Sequence, residues 1–230
     1  MLAGLGDSYV ITTEELTKSL PLQTPNFMIR SFWSEPFLWI HLAGIAAFPI
    51  WLGILVLSLT VGDPILPVWL EFTLIAVIGI VPILWMQLVK PFNIFCVLVV
   101  ALKPEVLTVE QRKILSLFKR PLEKVGAIAA PLFLLWVLWQ IYSVAPIAVE
   151  IPSLAPSWRI VGLLVAGVAF LLSNLFFQIP LSVLGVLLTK ESAFASTEPY
   201  PVEKIPDDFT IAGFQVDQIL PIKSSPKTLS

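Results

Sequence analysis

PFLWIHLAGIAAFPIWLGILVLSLTV, Pro36 to Val61, carries no formal charge over about 26 residues, more than the roughly 20 a helix needs to cross a 30 Å hydrocarbon core. Working outward, Val61-Gly62-Asp63-Pro64 reads as a tight turn, after which Ile65 to Val89 is again apolar apart from Glu71. Lys90-Pro91 ends this second span, because proline disfavours helical geometry in the residue before it. Val125 to Ala145 reads as a third span. A segment containing Pro146, Pro152 and Pro156 then leads to a fourth, Ile160 to Leu188, long enough that it must tilt, bend or project. The expected fold is an all-α integral membrane protein with four transmembrane helices as two hairpins. Residues 36–188 form the membrane domain, between a polar N-terminal segment (1–35) and a polar low-complexity tail (189–230).

Composition points the same way. Of 230 residues, 57% are hydrophobic and 13% charged, and the mean hydropathy is +0.90; soluble domains run near 45–50% apolar and about 25% charged. A net charge of −2 argues against nucleic acid as a partner. The single cysteine, Cys96, has no internal disulfide partner, and with the single histidine, His41, it makes no sequence-readable metal cluster. The first 26 residues, with Asp7, Glu14, Glu15 and Pro21, lack the basic and apolar regions of a cleaved signal peptide.

The connection between spans two and three, residues 90–124, is the basic part of the chain. Phe92 to Leu102 is too short to cross and reads as an interfacial or re-entrant piece. Thr108-Val109-Glu110-Gln111 offers a capping box for a short amphipathic helix stopping near Arg120-Pro121. Its Val109, Ile114, Leu115, Leu117 and Phe118 are placed to rest on lipid. Lys90, Lys103, Arg112, Lys113, Lys119, Arg120 and Lys124 lie here, against Arg159 alone in the opposite connections. The positive-inside rule then puts this loop and both termini in the cytoplasm. Trp33, Trp39 and Trp85 fit one interface and Trp69 and Trp158 the other, while Trp51, Trp136 and Trp139 lie deeper, against protein or pigment. Each span has one interior proline (Pro49, Pro82, Pro131, Pro180) that removes a backbone bond.

Ionisable groups within spans are costly and mark candidate sites, which singles out His41 and Glu71. They fall near opposite ends of their spans, too far apart for a two-residue proton relay. The neutral imidazole of His41 can ligate a pigment metal or simply hydrogen-bond within the bundle. Glu71 can hold a proton, ligate, or pair. The fourth span carries a polar stripe, Gly167, Asn174, Gln178, Ser182 and Gly185, whose spacing keeps all five on one face suited to packing on protein, either its own helices or a partner subunit. A second row, Gly162, Ala166, Ala169 and Ser173, permits close backbone approach. Gln87 and Asn93, flanking Lys90-Pro91, form a further polar cluster able to hold a lipid head group or pigment. Phosphate-loop, metalloprotease and nucleophile-elbow motifs are absent, so no enzyme activity is expected.

The run RSFWSEPFLWIHLAG, Arg30 to Gly44, with Pro82-Ile83-Leu84-Trp85-Met86-Gln87, Lys90-Pro91-Phe92 and Ala101-Leu102-Lys103-Pro104-Glu105, resembles a little-characterised cyanobacterial family of low-complexity-tail thylakoid membrane proteins. The resemblance covers roughly residues 30 to 190. It implies a thylakoid location in photosynthetic organisms and supplies no ligand set. Here the tail holds a more apolar island, Phe209 to Ile222, suited to docking on a partner. Three readings follow: a non-catalytic accessory or assembly factor binding a photosystem or another thylakoid complex; a chlorophyll- or carotenoid-binding subunit with His41 as ligand; or a small transporter or channel subunit using the fourth-span stripe.

Overall fold

The computed structural model describes residues 32–62, 64–97, 99–144 and 157–220. The N-terminal segment through Ser31, the turn residue Asp63, the Pro146–Pro156 connection and the end of the tail lie outside the described residues. Four helices are long and apolar enough to cross a membrane: α1 (Pro36–Leu59), α2 (Val68–Val89), α4 (Pro121–Val144) and α5 (Ser157–Leu187). Between α2 and α4 lie a β-hairpin, β1 (Cys96–Val97) and β2 (Val100–Leu102), and the short helix α3 (Val109–Phe118). After α5 come α6 (Glu191–Ala195), α7 (Ile205–Asp208) and β3 (Phe214–Val216).

Helix α1 narrows to a 3₁₀ turn at Gly44–Ala46. Pro49 explains its position, because the missing N–H would have bonded the Ile45 carbonyl and the ring crowds that same group. The third span starts four residues before the expected Val125. Proline is suited to the first helical position, and Glu123 two residues on meets the positive end of the helix dipole.

Packing in the membrane runs through α5, which touches all three other spans, whereas α1 and α2, though joined by a short turn, each make their main contacts with α5. The two small-residue rows divide this work. A Cβ at Gly162 would stand 2.7 Å from the Ser58 carbonyl oxygen of α1. Gly167 faces Ile78 of α2, and Phe170 fills the space a side chain at Gly79 would need. Without a hydrophobic force between helices in lipid, such close approach supplies the van der Waals contact that holds the bundle. The resulting core includes Leu55, Ile75, Leu134, Leu138, Ala166 and Phe170.

A second core lies at the loop end of the bundle, and here the sequence expectations need correction. Residues 92–102 are a β-hairpin, not a re-entrant piece, with Cys96 opposite Ala101 and Val97 opposite Val100. The tail completes the sheet: β3 pairs parallel to β2, Val100 opposite Phe214 and Leu102 opposite Val216. A sheet this small has open edges, which hydrocarbon does not tolerate, so it lies outside the bilayer core. The capping box of α3 forms as expected, Gln111 N donating to Thr108 Oγ1 at 3.2 Å and Thr108 N to Gln111 Oε1 at 3.0 Å. Its apolar face does not rest on lipid. Ile114, Leu115, Leu117 and Phe118 are buried with Phe37, Phe95, Val183, Ile205 and Phe209, whereas Val109 is exposed. The tail therefore covers the face that the sequence pattern left open, and the apolar island docks through Phe209 on its own chain.

Candidate functional site

Near the turn between α1 and α2, the first turns of α2 and α5 bring Glu71 and Arg159 together. Arg159 Nε donates to Glu71 Oε1 at 3.1 Å and its Nη2 to Glu71 Oε2. Nη1 donates to the carbonyl of Leu59 at 2.6 Å and to that of Val61 at 3.4 Å. Glu71 is 0% and Arg159 4% exposed. A planar guanidinium with a fork of donors suits this task, since it closes a bidentate pair and still satisfies carbonyls at the end of α1. Tyr142 lies within electrostatic range of both charges, and its buried hydroxyl has no hydrogen-bond partner among the described residues. From the sequence alone Arg159 reads as a loop charge. Its position beside the start of the fourth span, at the same end as Glu71, is the signal from which the pairing could have been read.

Halfway along α5 the polar stripe turns inward. Asn174 Nδ2 donates to the Gly79 carbonyl at 2.8 Å, and Gln178 Nε2 donates to Asn174 Oδ1 at 2.7 Å. Gly79 lies three residues before Pro82, where the ring disrupts the helical bond pattern and a neighbouring side chain can satisfy a carbonyl. Gly167, Asn174 and Gln178 thus pack within the chain and offer no surface to a partner subunit. Toward the loop the same face meets α4: the Glu123 carboxylate stands where a Cβ at Gly185 would be. Gln87 and Ser182 line a cavity of about 90 Å³ there together with Glu123.

His41 Nδ1 donates to the Phe37 carbonyl at 2.8 Å, and the ring packs on Phe92 at 5.6 Å between centroids. It does not approach Glu71, whose partners are those above. Asn93 does not line the cavity that Gln87 lines. Fully buried, Asn93 accepts from Phe95 N at 3.0 Å through Oδ1, while its backbone N–H donates to the Thr210 carbonyl at 3.1 Å. Asn93 therefore shapes the hairpin and ties it to the tail. Trp136 and Trp139 face outward from the bundle, 57% and 62% exposed, and Trp51 is half-buried.

The tail is held to α3 by a polar ring. Ser116 Oγ donates to the Glu198 carbonyl at 2.7 Å, Arg120 Nη2 to Thr197 Oγ1 at 3.1 Å, and Tyr200 Oη to Asp208 Oδ2 at 2.7 Å. Lys119 pairs with Asp208 at 3.6 Å and lies over the Phe209 ring. Tyr200 and Lys119 hold the Asp208 carboxyl below its ordinary value, and burial, with the neighbouring carboxylate, pushes the Tyr200 phenol up to about 12. At the far end of the sheet, Phe214 N donates to the Val99 carbonyl at 2.8 Å, and both side chains are exposed, Phe214 by 78% and Val99 by 63%.

No curated protein and no solved structure matches this chain. The family model that does match covers residues 34–221, running past the fourth span to the end of the segment that folds back on the loop. The chain is a membrane protein and belongs to the low-complexity tail membrane protein-like family.

Proposed function

We propose that the protein is a non-catalytic accessory or assembly factor of the thylakoid membrane that binds a photosynthetic complex, photosystem II first among them. In this reading both termini and the loop module face the cytoplasm. The observation that carries it is the module itself. Loop and tail fold together outside the spans and present an apolar tip, Val99 and Phe214, that a self-contained bundle does not need. Inside the membrane, Glu71 with Arg159 and Asn174 with Gln178 bond one another, which speaks against an open polar route for a transported substrate.

Purification of the full chain from thylakoid membranes in mild detergent tests this. Photosystem subunits co-purify with the wild type and are lost with Phe214→Ser; their absence from the wild-type preparation overturns the reading. The same preparation tests the pigment alternative, which rests on His41, the single histidine of the chain, within its first span. Stoichiometric chlorophyll in the wild type and its loss in His41→Leu favour the alternative.

A further inference from the structure

The cavity at the loop ends of α2, α4 and α5 has a mixed lining. Gln87, Ser182, Glu123, Lys119 and Lys124 supply donors and acceptors, and Phe118 is among the apolar walls. It lies where the basic loop meets the spans, and apolar side chains beside it point outward: Val89 is 48%, Leu122 71% and Val125 63% exposed. An occupant that is polar at one end and apolar at the other fits this boundary, with its head in the cavity and its chains along those residues.

Charge narrows the class. Lys119 and Lys124 line the cavity, and Lys90 and Arg120 are neighbours of lining residues, against the two carboxylates of Glu123 and Asp208. Asp208 is engaged by Lys119 and Tyr200, and Arg120 by Thr197. Lys124 is exposed and free to move toward a bound anion. The balance is positive, as in basic pockets between membrane helices that hold anionic head groups. Glu123 shapes the remainder, because its carboxylate turned against Gly185 accepts from hydroxyls and repels a second anionic group. A cavity of about 90 Å³ has room for a small polar group and not for an acyl chain.

We propose that this cavity binds the head group of a monoanionic glycerophospholipid, the phosphodiester held by Lys124 and the free hydroxyls of a polyol such as glycerol held by Glu123, Gln87 and Ser182. The site is independent of the partner reading above. Nothing in it requires the Val99–Phe214 tip.

The full chain in mild detergent is titrated with dihexanoyl phosphatidylglycerol, dihexanoyl phosphatidylcholine or inorganic phosphate, and the thermal midpoint is followed by tryptophan fluorescence. The midpoint rises with phosphatidylglycerol alone. Lys124→Gln, which removes no side-chain hydrogen bond or ion pair among the described residues, weakens the apparent affinity about fivefold, the worth of one lysine near an anionic lipid. Ser182→Leu fills the cavity and abolishes the response while far-UV circular dichroism stays unchanged. An equal rise with phosphatidylcholine overturns the proposal, as does an undiminished response in Lys124→Gln. A rise with inorganic phosphate matching that with the lipid also overturns it and makes the cavity a free-anion site.

Discussion

Glu71 and Arg159 illustrate how an isolated charge in a span becomes structural once its partner is found. Taking either out of water costs several kcal/mol, which their mutual contact offsets only while both are present. Arg159→Leu leaves a carboxylate buried without a counter-charge and carbonyls of Leu59 and Val61 without a donor. The expected loss is about 3–5 kcal/mol. The double variant Glu71→Leu with Arg159→Leu should recover much of it, as read by denaturant unfolding in detergent micelles. A single variant as stable as the wild type would contradict the buried pair. Cys96 shows the opposite kind of residue-scale behaviour. Burial raises its thiol to about 11 and leaves it 0% exposed. At pH 8 about one molecule in a thousand would carry the reactive thiolate. Iodoacetamide should therefore leave the folded protein unmodified and label it stoichiometrically in denaturant.

At the scale of elements, α5 organises the membrane half and the tail organises the other. Asn174→Leu removes the bond to the Gly79 carbonyl and leaves Gln178 Nε2 without its acceptor, a loss of about 0.6–1.7 kcal/mol by the range measured between membrane helices. Leu171→Val, at a half-buried position off the stripe, should move the detergent thermal midpoint less. The tail responds to pH instead. Because the Asp208 carboxyl is held below 3.8 in the folded protein, its contribution is fully present above that value and is lost as pH falls through the depressed one. The Tyr200 phenol, raised to about 12, keeps its donor proton until strongly alkaline conditions. Limited proteolysis should release the tail on acidification below about pH 4, and Asp208→Asn should be more readily cleaved at neutral pH with less change on acidification. The spans were legible in the sequence because a continuous apolar run leaves few alternatives, and the capping box because its two bonds are local. The sheet was not, since β2 meets β3 more than a hundred residues along the chain and each strand is two or three residues long. A separation of 88 residues likewise hides the pairing of Glu71 with Arg159.

The whole molecule carries an asymmetry of charge that its packing sharpens. Six basic residues lie between α2 and α4 and a seventh, Lys124, in the first turn of α4, whereas the opposite end has Arg159 alone, in the first turn of α5, and Arg159 is spent on Glu71 inside the bundle. By the positive-inside rule this asymmetry supports the proposed orientation, with the loop module on the cytoplasmic side. Cysteine labelling suits the test because Cys96, the one native cysteine, is inert when folded. The choice of position matters: Ile114, midway along the basic loop, is 1% exposed and would report nothing from either side. Glu110 on α3 and Ile65 in the turn before α2 are both exposed. With a membrane-impermeant maleimide, Glu110→Cys should react only in vesicles whose cytoplasmic face is outward, and Ile65→Cys only in vesicles of the opposite sense. The reverse pattern would overturn the assigned orientation while leaving the helix packing untouched, because a bundle with an even number of spans can be inverted without changing any contact within it.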